Sequence, residues 1–299
     1  MNKVTVSAPG KLMLFGEQAV VWGRPCLVTA IDRRIVVEIE KTKEKEKETC
    51  SLFVDSAVKN FYQRFKPEHE VGIKITKAFS SQYGLGSSSA VTVAVIYGLA
   101  VLFDKKLAKK EIFDLSFKSV LDVQKIGSGF DVACAIWGGV ICFQDKAKLI
   151  IPLKCPTIPI MIVYTGFKAN TTKMIRQVES LRKKNFKPVE NIFAKIENLV
   201  NQAKIDLEGA NWPALGKLMN QNQALLEKLG LGTKKIDRLV LAARQAGAWG
   251  AKLSGAGGGD CIIILVDSEI RKKAESALVR AGGKILPLLT ETEGVRIEK

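Results

Sequence analysis

Histidine is almost missing from this chain: the one residue, His69, lies in the polar, proline-containing segment KPEHE. Such surroundings suggest an exposed loop or strand entry, so a general base is expected to be a carboxylate, a lysine or a cysteine. The six cysteines (Cys26, Cys50, Cys134, Cys142, Cys155, Cys261) are scattered, with no CxxC pair. They read as reduced thiols rather than zinc ligands or disulfides. No apolar run reaches the length of a bilayer span, and the start MNKVTVSAPGK has no signal-peptide core. A cytoplasmic protein with no membrane partner is expected.

Negative charge is also scarce, leaving a net charge of +16. Much of the excess falls in short polar runs, KTKEKEKE after Glu40, DKKLAKKE from Asp104 and LRKKNFKP from Leu181. These read as solvated faces, and none interleaves with aromatics in the way that would stack bases. The charge favours acidic ligands, with no nucleic acid as partner; a nucleic-acid-binding module of the same fold is the contrasting reading.

What is present is a chain of 299 residues, 47% hydrophobic, with no internal repeat. That is enough for one large domain or two ordinary ones. Its glycines gather in three telling places. In Gly84-Leu85-Gly86-Ser87-Ser88-Ser89-Ala90 a glycine loop leads into the almost unbroken apolar run Val91 to Phe103. A buried helix entered this way presents unpaired N–H groups at the positive end of its dipole, where a phosphate would bind. The Lys-Ser/Thr ending of a P-loop and the third glycine of a dinucleotide fingerprint are both missing, so a serine cap on a core helix remains the plain alternative.

Gly127-Ser128-Gly129-Phe130-Asp131 reads as a second loop opening a helix, with Asp131 in its first turn. Asp131 is there either as a helix-stabilising charge or as a group that activates a hydroxyl. The third stretch, Lys252 to Cys261, packs four glycines into five positions between two apolar runs. This implies close approach of backbone to a ligand or to another loop.

Elsewhere, Val4 to Ser7 reads as a strand broken by a Pro-Gly turn over Ser7 to Lys11, before the apolar run Leu12 to Phe15. Leu149 to Pro152 and Cys155 to Pro159 read as a crossing between domains, placing a boundary at 154/155. The polar turn TGFKANTT caps a helix from Lys173, and long amphipathic helices occupy Val189 to Gln245.

Three such loops in this order resemble the motifs of the GHMP kinases, over nearly the whole chain. SAPGKLMLFGEQAVVWGRP and the segment from Met219 to Gly259 resemble the mevalonate kinase branch, while YGLGSSSAVTVAV, GSGFDVA and GAGGGDC look more like phosphomevalonate kinases. The resemblance implies a two-domain α+β fold, with an N-terminal β/α domain (1–154) containing a left-handed-type crossover and a ferredoxin-like C-terminal domain (155–299). It implies a monomer or homodimer that uses ATP and Mg²⁺ to phosphorylate a hydroxyl of mevalonate, with phosphomevalonate as the alternative acceptor. Residue by residue, it implies that Asp131 is the catalytic carboxylate and that Lys11 lies beside it. Gly84, Leu85, Gly86, Ser87, Ser88, Ser89 and Ala90 would hold the nucleotide phosphates. Glu17, Gln18, Thr172, Ser254, Gly255 and Ala256 would lie on the substrate side, and Ser88 and Asp122 would hold Mg²⁺. Gln18 stands where mevalonate kinases usually have histidine.

Overall fold

Two antiparallel sheets divide the secondary structure, in a computed structural model that describes residues 1–43, 51–77 and 79–298. The charged run after Glu40 lies outside the described residues from position 44 on, as does Cys50. The chain begins with two long strands, β1 (Lys3–Phe15) and β2 (Cys26–Thr42), followed by α1 (Leu52–Phe65) and β3 (Glu70–Lys77). Three helices follow, α2 (Ser87–Leu102), α3 (Lys109–Gln124) and α4 (Phe130–Trp137), and then β4 (Val140–Gln144) and β5 (Leu149–Leu153). Among the described residues the first sheet runs β5-β4-β2-β1, with β3 pairing the distal half of β2.

The apolar run Leu12 to Phe15 is continuous because both faces of β1 are covered. Met13 packs with α2 and α4 in one core, whereas Leu12, Leu14 and Phe15 belong to a second core shared with the C-terminal sheet. Helix α2 is apolar on all sides because it lies between the sheet and helices α1 and α3, with its residues from Ala90 to Ile96 buried. The Pro9-Gly10 pair is not the turn expected: β1 runs through it as one strand, with a register shift between Pro9 and Gly10. A bulge absorbs the missing proline donor and bends the strand, so that Lys11 N–H bonds Leu85 O at 2.9 Å, outside the ladder.

The second sheet is built from β6 (Ile160–Tyr164), then, after α5 (Thr171–Lys184), α6 (Phe186–Glu208), α7 (Trp212–Lys228) and α8 (Lys234–Gln245), from β7 (Gly250–Ser254) and β8 (Cys261–Leu265), and, after α9 (Arg271–Arg280), from β9 (Lys284–Leu286). Its order is β7-β8-β6-β9, the arrangement of a ferredoxin-like sheet, with helices in the first and last connections. Leu149 to Pro152, read from the sequence as part of the crossing, lies instead in the edge strand β5, where Pro152 is tolerated because only one side is paired. Beyond β9 the chain returns to the first sheet: β10 (Arg296–Ile297) pairs with β1, and Thr290 and Glu293 bridge to Ile31 and Gly138. No helix among the described residues is long and apolar enough to cross a membrane.

Candidate active site

A cavity of about 760 Å³ opens where the two sheets meet, and the starts of three helices line it. The first is α2. Gly86, its N-cap, takes φ +80°, and the first closed turn is Ala90 N–H to Gly86 O at 3.0 Å. The N–H groups of Ser87 to Ser89 precede that bond and have no carbonyl of their own helix to meet. Gly84, Gly86, Ser87 and Ser88 line the cavity, while Leu85 and Ala90 are buried behind them. An oxyanion resting here meets unpaired donors and a helix dipole.

The second start is α4, capped by Gly129, with Asp131 in its first turn. Asp131 Oδ2 accepts from Ser89 Oγ at 2.6 Å and its Oδ1 from Val132 N–H at 3.0 Å. Ser89 therefore serves the carboxylate rather than the cavity, and fixes its orientation from the neighbouring helix. Lys11, 8% exposed, approaches from β1. Its Nζ donates to Gly84 O at 3.0 Å and lies 5.5 Å from the centre of the Phe130 ring, next to Asp131. Both charges line the one cavity, a cation and a carboxylate available to a reacting hydroxyl.

The second domain supplies the remaining wall. Helix α5 starts at Thr171, two residues earlier than the sequence suggests, and the side chain of its N-cap Asn170 accepts from Lys173 N–H at 2.9 Å. Asn170, Thr171 and Thr172 line the cavity together with Lys168, Gly255, Ala256 and Asp260. Gln18 reaches across from the first domain and donates from Nε2 to Ala256 O at 2.8 Å. Its Oε1 is buried without a hydrogen-bond partner.

The family described as GHMP kinases N terminal domain matches residues 52–139, and GHMP kinases C terminal matches residues 180–284. Mevalonate kinase from Pyrococcus furiosus is 35% identical, over 99% of each chain, and that from Pyrococcus abyssi 33%, over 99% of this chain and 98% of its own. The chain belongs to the GHMP kinases. A crystal structure of the Methanococcus jannaschii mevalonate kinase superposes on this GHMP kinase with a TM-score of 0.79 at 26% identity, covering 99% of this chain and 98% of the other. Family membership makes it an ATP-dependent kinase.

Besides Leu85, Ser89 and Ala90, three more expected site residues of this GHMP kinase lie off the cavity. Glu17 does not line the cavity: it is fully buried, ion-paired with Lys252 and hydrogen-bonded by Asn222 Nδ2 at 3.0 Å. Burial pushes the Glu17 carboxyl up and the Lys252 ammonium down, and each charge opposes the shift of the other. Ser254 is equally occupied, accepting from Met13 N–H at 3.1 Å and donating to Met13 O at 2.8 Å. Both side chains bolt the domains together behind the cavity. Asp122 faces α1, from which Asn60 Nδ2 donates to it at 2.8 Å, while Lys118, one turn earlier on α3 itself, donates at 3.1 Å; these bonds hold its carboxyl below the usual range. Helical spacing leaves Asp122 on the outer side of α3, and it does not line the cavity.

Asp260 does line it, and the sequence reading gave it no role. Burial raises its pKa, opposed by the Ala169 N–H bond and by Lys11 and Lys168. The one available signal was an acidic residue closing a glycine run, which says nothing about where the side chain points.

Proposed function

We propose that this GHMP kinase transfers the γ-phosphate of ATP to the 5-hydroxyl of mevalonate. The observation that carries the reading is the shared cavity in which Asp131, oriented by Ser89, faces the open N-terminus of α2. End-to-end similarity to mevalonate kinases supports the choice of acceptor. Asp131 takes the proton of the attacking hydroxyl, while the N–H groups of Ser87 to Ser89 and the ammonium of Lys11 meet the charge on the transferred group. Lysines at the cavity wall, among the described residues, are Lys11 and Lys168. Two ammonium groups are few for a triphosphate and a phosphorylated acceptor together, which favours mevalonate over phosphomevalonate.

The donor set suits Mg²⁺. Ser88 and the cavity carboxylates are hard oxygen ligands, and no group of three His, Cys, Asp or Glu side chains placed to hold a metal occurs among the described residues, so phosphate oxygens and water would complete the shell. When bound, the ion would neutralise charge on the β- and γ-phosphates. ADP release measured side by side with mevalonate, phosphomevalonate, galactose and homoserine tests the assignment. Turnover with phosphomevalonate but not mevalonate would replace it.

A further inference from the structure

We propose that Asp260 supplies the protein carboxylate for the divalent cation that accompanies ATP. This rests on the ATP site described above, but not on the identity of the acceptor. Asp122 is turned toward α1 and away from the cavity, and among the described residues the acidic side chains lining it are Asp131 and Asp260. Both oxygens of Asp131 are already engaged, by Ser89 and Val132.

Asp260 is different. It is 7% exposed, and its Oδ1 accepts from Ala169 N–H at 2.9 Å. No donor among the described residues bonds Oδ2, which lies against the start of the phosphate loop: a Cβ on Gly84 would come within 2.3 Å of it. The backbone that carries it is pinned, with N–H donating to Phe167 O and the carbonyl accepting from both Thr165 N–H and Thr165 Oγ1, each at 2.9 Å. It is also held at φ +58°, a conformation that non-glycine residues seldom adopt. A carboxylate fixed this firmly beside a polyphosphate is repulsive unless a cation stands between them. Lys11 and Lys168 leave the combined negative charge of the triphosphate, Asp131 and Asp260 unbalanced, and the Nζ of Lys11 is bonded to Gly84 O. Mg²⁺ accepts one or two carboxylates together with phosphate oxygens and waters, and with Ser88 on the facing loop Asp260 provides the protein's share.

The test uses Mn²⁺ as a spectroscopic stand-in, titrated by electron paramagnetic resonance into the full-length protein saturated with the non-hydrolysable β,γ-imido analogue of ATP. Asp260→Asn keeps an oxygen for the Ala169 bond, and Asp260→Gly removes the carboxylate while accepting the backbone conformation. Both variants are expected to weaken bound Mn²⁺ by about tenfold or more, with metal-free affinity for the analogue within about threefold of the parent. Parental Mn²⁺ affinity in both variants would overturn the inference alone. Failure of the parent protein to bind the analogue at all would overturn it together with the ATP site.

Discussion

The two glycine-rich loops that face each other across the cavity use their glycines differently. In Gly84 to Ala90 the backbone turns sharply into α2 and leaves polar groups open: the N–H groups ahead of Ala90 and the hydroxyls of Ser87 and Ser88. In Ser254 to Asp260 the chain instead passes close to its neighbours. A Cβ on Gly257 would come within 2.7 Å of the Leu231 side chain, one on Gly258 within 2.6 Å of Met174, and one on Gly259 within 2.9 Å of Ala169 and Phe167. Gly255 alone of these has open space on that side. A glycine cluster in a sequence thus reports crowding, and only the structure says whether a ligand or the protein's own loops do the crowding. The first loop offers open donors to the cavity, while the second is packed against its own neighbours and braces the first, reaching the cavity through Gly255, Ala256 and Asp260.

This division makes separable predictions. The largest effect belongs to the chemical wall: Asp131→Asn is expected to lower kcat by about 10²–10⁴-fold while ATP affinity, measured by calorimetry, stays within a few-fold. Near-parental turnover would remove Asp131 from the reaction. On the bracing wall, Glu17→Gln leaves Lys252 charged and buried, and is expected to cost about 3–5 kcal/mol in denaturant unfolding. Pairing it with Lys252→Met should return most of that, because neither charge then needs a partner. A parental melting curve for the single variant would show that the pair holds nothing.

A smaller contrast lies within the second loop. Gly257→Ala meets both an unfavourable φ of +86° and the Leu231 side chain, and should lose about 1–3 kcal/mol. Gly255→Ala, at φ +101° but with room for a methyl, should lose about 1 kcal/mol. Equal losses would erase the distinction between crowded and open positions.

The smallest effect is expected far from the cavity. The bond from Ser7 Oγ, and then Arg296, hold the Glu298 carboxyl below its ordinary value against an opposing contribution from burial. A group whose folded pKa is depressed stabilises the fold above its unfolded pKa, near 4.5 here, and loses that contribution as pH falls through the lower folded value. Glu298→Gln should therefore flatten the acid limb of the stability profile by less than about 0.5 kcal/mol, since the side chain is partly solvated. The loss should appear on the neutral-pH plateau and vanish at the acid end, where the parental carboxyl is protonated as well; a loss as large at the acid end would contradict the assignment.

Local chemistry made part of this site legible in advance. A glycine loop running into a long apolar stretch marked the buried start of α2, and Gly129-Phe130-Asp131 ahead of a second apolar run placed Asp131 in the first turn of α4. Partners distant in sequence stayed hidden. Glu17 meets Lys252 and Ser254 meets Met13 across the join of the two domains, and no spacing rule links such positions. Asp122 was misplaced because helical periodicity tells inner from outer faces but not which neighbour an outer face meets. Strand β10 is two residues long and carries no alternation, so its return to β1 left no pattern to read.

That return sets the order in which the molecule is completed. The outer edge of β1 is made early, yet the strand that covers it is translated only after the whole of the second sheet. Until then that strand edge is left without its partner, and the first half of the nascent chain can collapse around α2 without closing its sheet. The edge of β1 at Val6 and Ser7 therefore gains its partner from the far end of the chain, after both cores have been translated.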